Sequence, residues 1–423
     1  MAPPAAIKQP TLAPTVAVAA ICVVALATLG LVFGRPDVVA LAIPIALCAL
    51  GPLLSRRAFT VKLLADADAV STTQRPTATI AVDSTADFVQ LSLTQADTHT
   101  TQLAVAPEGR IKASTRLLHS GPARLVSVVS RGLSHDGALV SAVTPRQVID
   151  WQAMPASRPL PRLPLAPRLT GLHGGHDGSR PGYGGDFRDI HPFTPGDELR
   201  RVDWKATARA ARGQGELMVR RTNTLSDASV VIVLDNVDEL GEAVASWGTG
   251  DLERSGITSL DLAREAARSF AEATAAAGDR ISYHEITPGG RSVRSGSGQR
   301  HLARVLAAIA ATGPGAEETM IRRTPAIPPG SVVYVLSTFL DGAAARLALT
   351  WRASGHRVVA VDCLPVPDRE RLTQRQELAL RIVLAERVTM FESLSRAGVD
   401  SLAWSEDPEQ VAVSLRLAAR IRR

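Results

Sequence analysis

Cysteine is scarce in this chain, at three in 423 residues. Cys22 and Cys48 fall inside uncharged apolar runs, which leaves Cys363 as the sole thiol outside them. A disulfide framework and a cysteine-based metal site are therefore excluded, and a reducing compartment is expected. Aromatic residues make up only 4% of the chain and no nucleic-acid motif is visible. The excess of positive charge, +6 overall with an isoelectric point near 9.7, therefore does not point to nucleic acid. Attraction to anionic lipid and an arginine-rich composition account for it. No internal repeat is present.

Charged side chains are missing altogether from residues 15–33 and again from 38–54. As helices these runs reach roughly 28 and 26 Å, close to a hydrocarbon core of about 30 Å. The break between them, Gly34-Arg35-Pro36-Asp37, is long enough only for a tight turn, so residues 1–57 are expected to form a transmembrane helical hairpin. Lys8 precedes the first run and Arg56, Arg57 and Lys62 follow the second. The positive-inside rule then predicts a multi-pass protein of the cell inner membrane with both termini cytoplasmic. A cleaved signal peptide is the competing reading of the first run, but its basic region is thin and a second apolar run follows at once. Pro44 and Pro52 are expected to kink the second helix.

Residues 58–154 alternate in short runs such as TATIAVD and FVQLSLT, the pattern of a small antiparallel β domain. Prolines 155, 159, 161, 164 and 167 mark residues 155–169 as an extended linker lying along the surface. From 228 to 423, strand-like and helix-like segments take turns, which predicts an open α/β sheet beginning at VVIVLD. Thr258 and Asp261 read as a capping box, and Ala263, Ala266, Phe270, Ala273 and Ala277 as the buried stripe of the helix it opens.

Between linker and sheet, residues 170–222 carry a run, GYGGDFRDIHPFTPGDELRRVDWKATAR, with neither helical nor strand periodicity. Gly182, Gly184 and Gly185 suggest a tight, irregular loop. Thr194 to Asp197 read as a turn, with Asp197 capping a short helix from Glu198. Arg200, Arg201 and Arg209 stand near Asp186, Asp189 and Asp203, while Phe187 and Trp204 supply apolar weight. The simplest expectation is an ion-paired lid stapled by partly buried aromatics. A catalytic alternative gathers Asp186, Asp189, His191, Asp197 and Asp203 around a divalent metal, as in a metal-dependent hydrolase. The matching number of arginines weakens it. His173, His176 and His191 lack the spacing of a helical zinc site. A third alternative is an anion site made by Arg200, Arg201, Arg209, Arg220 and Arg221.

Gly182, Gly184, Asp186, Phe187, Asp189, Phe193, Gly196, Asp197, Arg200, Val202, Asp203 and Trp204 together resemble the signature of the domain-of-unknown-function 58 family. His191 stands where that signature has arginine. The resemblance implies paired N-terminal membrane helices, a β-rich middle and a von Willebrand factor A-like domain over 228–423. It also implies an accessory, non-enzymatic role as a scaffold or adaptor beside a protein partner, such as an AAA+ ATPase of the MoxR type. A-like domains commonly hold Mg²⁺ through D-x-S-x-S after the first strand, with a Thr and an Asp from two other loops. Here Asp235 fills the first position, but Val237 and Glu239 replace both serines. Ser337, Thr338 and Phe339 follow the later strand, and Asp341 arrives only after Leu340. No cofactor is expected, with Mg²⁺ at Asp235, Asp238 and Glu239 as the alternative and acids solvating the sheet edge as the plain reading.

Overall fold

The computed structural model describes residues 11–54, 59–68, 75–161, 163–165, 176–210, 216–226, 228–247, 255–315 and 324–420. They divide into two compact units, one of residues 1–118 and 122–153, the other of residues 119–121 and 154–423. The expected hairpin and β domain thus share a unit, and the linker, signature segment and α/β sheet share the other. Lys8, Arg56, Arg57 and His173, on which parts of the sequence reading rest, lie outside the described residues.

In the first unit β1 (Thr11–Leu12) leads into α1 (Pro14–Val32), which is apolar on every side. A Schellman motif ends it. Gly34 takes φ +60°, and the Arg35 N–H donates to Gly30 O at 2.8 Å. Pro36 then opens α2 (Pro36–Leu54). The two helices pack closely because Gly30 carries no side chain: a Cβ there would sit 2.5 Å from Val39 Cγ2. Among the described residues α1 is the one helix long and apolar enough to cross a membrane, and α2 is a shorter apolar helix over Pro36–Gly51.

The rest of this unit is antiparallel β structure: β2 (Val61–Ala67), β3 (Thr77–Ser84), β4 (Phe88–Gln95), β5 (His99–Val105), β6 (Arg110–Ser114), β7 (Gly121–Leu133), β8 (Leu139–Val140) and β9 (Gln147–Ala153). One sheet runs β2-β3-β6 and the other β1-β8-β7-β4-β5, with β9 also on β7. Alternate residues of β3 and β4 point inward as the period of two requires, while β7 is buried over Leu125–Val128 without alternation. Ala78, Ile80 and Val82 of β3 meet Val89, Leu91 and Leu93 of β4 and Leu125, Val126 and Val128 of β7 in one core.

The second unit begins with the proline-rich strap, whose described part lies along the helix that the Thr258 box opens. Arg158 anchors it, donating to Glu265 at 2.7 Å and to the Trp404 carbonyl at 3.0 Å, with its guanidinium 4.9 Å from the centre of the Trp404 ring. Next come β10 (His176–Pro192), a 3₁₀ turn over Leu199–Arg201, α3 (Trp204–Ala210) and β11 (Met218–Ser226). β10 and β11 form an antiparallel ribbon of their own.

The main sheet is built from β12 (Ser229–Leu234), β13 (Arg280–Glu285), β14 (Ser292–Gly296), β15 (Ser331–Ser337), β16 (Arg357–Asp362) and β17 (Asp400–Ala403). Its order is β14-β13-β12-β15-β16-β17, all parallel except the β14 edge. Five helices cover it: α4 (Ser259–Ala276), α5 (Gln299–Ala310), α6 (Ala343–Ala353), α7 (Gln374–Arg396) and α8 (Pro408–Arg420). β12 is buried on both faces. Val230, Ile232 and Leu234 pack with α4, α5 and α8, while Val231 and Val233 pack with α6 and α7. The Thr258–Asp261 capping box forms as expected. The stripe behind it is shifted: Ala263, Ala266 and Phe270 are buried, but Ala277 is the exposed C-cap, and Ala267, Ala271 and Thr274 complete the inner face.

Candidate functional site

Two places gather the residues singled out by the sequence. The first is the β10–β11 ribbon with the 3₁₀ turn and α3 packed on β11. Gly182, Gly184 and Gly185 do not form a separate loop; they lie within β10, where Gly182 pairs with Thr222. Shifts in register between Gly182 and Phe187, and again before Asp189, let the strand absorb them. The Asp186 side chain lies outside the described residues.

Asp197 does not cap a helix at Glu198. Gly196 takes φ +105°, and Asp197 turns back to accept from the Thr194 N–H and hydroxyl, both at 2.8 Å. Its carboxylate also stands 3.7 Å from Arg221 of β11 and 3.7 Å from the His191 ring. Asp203 takes the capping role instead. Its Oδ1 accepts from the Ala206 N–H at 2.9 Å, and its own N–H donates to Met218 O at 2.8 Å, pinning the start of α3 to β11. Val202 and Val219 bridge beneath, both buried. Phe193 joins the ribbon through its N–H, 2.7 Å from Leu217 O.

The arginines pair differently from the expectation. Arg200 and Arg201 go to Glu198, and Arg188 stands 3.8 Å from Asp189. Arg209 makes no ion pair to a described residue. Nor do the aromatics staple a lid: Trp204 is 68% exposed and Phe187 51%, the latter under the Arg220 guanidinium at 5.2 Å. Of the acids of the hydrolase alternative, Asp189, Asp197 and Asp203 are thus occupied in a local pair, a turn and a cap.

The second place is the carboxyl end of the main sheet, where strand order reverses between β12 and β15 and open α/β sheets bind ligands. Asp235 accepts from the Ser337 hydroxyl at 3.0 Å and Asp238 from the Thr338 hydroxyl at 3.0 Å. Glu239 parts from them. Its neighbours are Thr258, Asp261, Arg264 and His119 at the start of α4, and burial raises its carboxyl above the ordinary range. Burial would also raise Asp261, but the hydrogen bond and charge of His119 and two bonds from Ser120 outweigh it and bring that carboxyl down to about 2. The degenerate loop therefore does not close three acids on one point. Among the described residues no three His, Cys, Asp or Glu side chains assemble as a metal site.

Sequence reasoning missed Arg387 and Asp362. Arg387 of α7 donates to the Thr338 carbonyl at 2.8 Å and pairs with Asp362 at the end of β16. Burial raises the Asp362 carboxyl, opposed by that arginine. Asn236 ties the same end down through Thr287 at 2.9 Å and Gly313 O at 2.8 Å. Beyond the strands, Asp368 N–H donates to Glu242 O at 2.7 Å and Val244 N–H to Asp368 O at 3.2 Å. The segments that leave the sheet on either side of β15 are therefore bonded to each other. Asp341 accepts from the Ala343 N–H at 2.9 Å and helps to start α6. The one signal that marked this place was the acid-rich end of an apolar strand.

Residues 189–391 match the family described as Protein of unknown function DUF58. That span holds the end of β10, all of β11, the sheet from β12 to β16 and most of α7. No curated protein and no solved structure matches the chain.

Proposed function

We propose that this protein is a membrane-anchored, cytoplasm-facing adaptor whose sheet is an A-like domain presenting its carboxyl-end rim to a protein partner. The observation that carries the reading is the way that rim is closed. Asp235 and Asp238 are matched to hydroxyls of Ser337 and Thr338, Arg387 joins β15 to β16, and the flanking segments bond to one another. Such a rim is preorganised for docking rather than open to a small substrate. Val366, in the segment after β16, stands 68% exposed there as an apolar contact. The strand order with a single antiparallel edge supports the A-like assignment. The turn after β12, Asp235-Asn236-Val237-Asp238, has no glycine to admit a dinucleotide pyrophosphate.

The anchor in this reading is α1 together with α2 as a second span. Support comes from their exposed side chains, among them Val18, Ile21, Val24, Leu41, Ile43 and Leu47, which would face lipid. The partner class is an AAA+ ATPase of the MoxR type. Crosslinking the tagged full chain in native membranes should recover such an ATPase, and Val366→Asp should abolish the recovery without altering the melting temperature. Identical recovery with Val366→Asp would remove the rim from the interface, and recovery no different from an untagged control would end the adaptor reading.

A further inference from the structure

α3 turns one face into the ribbon and the other to solvent. Thr207 faces inward, its hydroxyl accepting from the Met218 N–H at 2.9 Å. Trp204, Lys205, Ala208 and Arg209 are exposed at i, i+1, i+4 and i+5, one side of the helix. Just upstream, Leu199 is 67% exposed beside the exposed Arg200. Lys205 and Arg209 have no ion pair to a described residue, and the solvent face of α3 carries no acid. An exposed tryptophan flanked by Lys205 and Arg209 is a surface that gains from being covered.

We propose that this face is an interfacial lipid contact: Trp204 enters the headgroup boundary of a bilayer while Lys205 and Arg209 meet anionic headgroups. The inference rests on the membrane anchor of the preceding reading. A chain tethered to a bilayer meets that surface at high effective concentration, so a small contact suffices. The composition fits: tryptophan belongs at the headgroup level, and exposed basic residues are drawn to anionic lipid. A fluid interface accepts a single exposed helix face without a matching cleft. An acidic protein surface is the competing occupant, and it would need one.

The test uses the full chain reconstituted in liposomes of phosphatidylcholine alone or with phosphatidylglycerol, each with brominated acyl chains that quench nearby tryptophan. Comparison of the native chain with Trp204→Leu isolates Trp204 from the other four tryptophans. Quenching of Trp204 is expected with phosphatidylglycerol and not without it, reversed by high salt. Lys205→Glu and Arg209→Glu should each weaken the contact on the order of fivefold. Should Trp204→Leu fold poorly, acrylamide access to tryptophan in the native chain, reduced by phosphatidylglycerol, gives the same answer. Trp204 equally open to acrylamide in both bilayers, quenched alike in both, or crosslinked to a protein instead of lipid, would each overturn the proposal. An alkaline wash separates the two readings. Release of the chain from the liposomes defeats the anchor, whereas a retained chain with unquenched Trp204 defeats only the lipid contact.

Discussion

Asp203 sits where a helix begins, and its carboxylate bonds the Ala206 N–H. Asp203→Ala should lower stability by about 1 kcal/mol, read as a fall in melting temperature, and Asp203→Asn should restore most of it. A role in hydrolysis would instead require Asn to remain inactive, so the pair of variants separates cap from catalyst. Asp261 and Glu239 respond to pH in opposite senses. The Asp261 carboxyl lies at about 2 in the folded protein, below its ordinary value, so the unfolded chain takes up the proton first. Its contribution, about 2 kcal/mol, is complete above pH ~4 and is lost as pH falls toward 2. Glu239 is raised by burial, so its charged form opposes folding at neutral pH. Thermal melts should therefore show Glu239→Gln more stable than the native chain at pH 7, with the gap closing in acid. Asp261→Asn should flatten the loss of stability between pH 4 and 2. The capping role of Asp261 was legible because a box obeys local spacing. That its carboxylate also takes a histidine and a serine more than a hundred residues upstream was not, since no local pattern records a contact at that separation.

Elements with a strong period were readable: α4 in most of its three-and-four spacing, β3 and β4 in their alternation, β12 in an unbroken apolar run. The ribbon was not. Its glycines suggested a loop because a strand with three register shifts has no stable period to detect, while pairing with β11 supplies what local preference lacks. Its aromatics suggested burial because hydrophobic residues usually are buried; position on the outer side of a short helix decided otherwise for Trp204. Phe339 is a further feature without a sequence signal, a buried phenylalanine at φ +55° just beyond β15. The Ser337 hydroxyl, 3.0 Å from its N–H, and the Phe391 ring, with centroids 5.2 Å apart, hold it there. Ser337 also bonds Asp235, so one hydroxyl links the strained residue to the first acid of the rim. The proline strap was foreseen as extended, but its anchor was not. Arg158→Ala removes an ion pair to Glu265 and a stack on Trp404, and should cost about 2 kcal/mol. Limited proteolysis should then cut within residues 155–165 faster than in the native chain, while a strap held by its prolines alone would keep the native rate.

For the molecule as a whole, the question that governs the rest is whether, and how many times, the chain crosses a bilayer. Among the described residues length and composition qualify α1 alone, and α2 falls short over Pro36–Gly51. Yet the packing at Gly30 favours the pair acting together. Its missing side chain brings α2 against α1, and a Schellman turn followed by Pro36 fixes the reversal. Burying one apolar helix in lipid while its closely packed partner stays in water would leave Leu41, Ile43, Leu47 and Leu50 exposed to solvent, an unfavourable transfer of several large side chains. Two crossings return the chain to its starting side; one crossing does not. Cysteines introduced at Asp37 and Leu165, in a full chain freed of its native three, distinguish these outcomes. With two spans, an impermeant maleimide should label position 37 on intact cells and position 165 only after permeabilisation. With α1 as the sole span, both positions share one side and label together. Joint labelling would also end the cytoplasmic reading of the sheet, if it occurred on intact cells, and with it any partner that works inside.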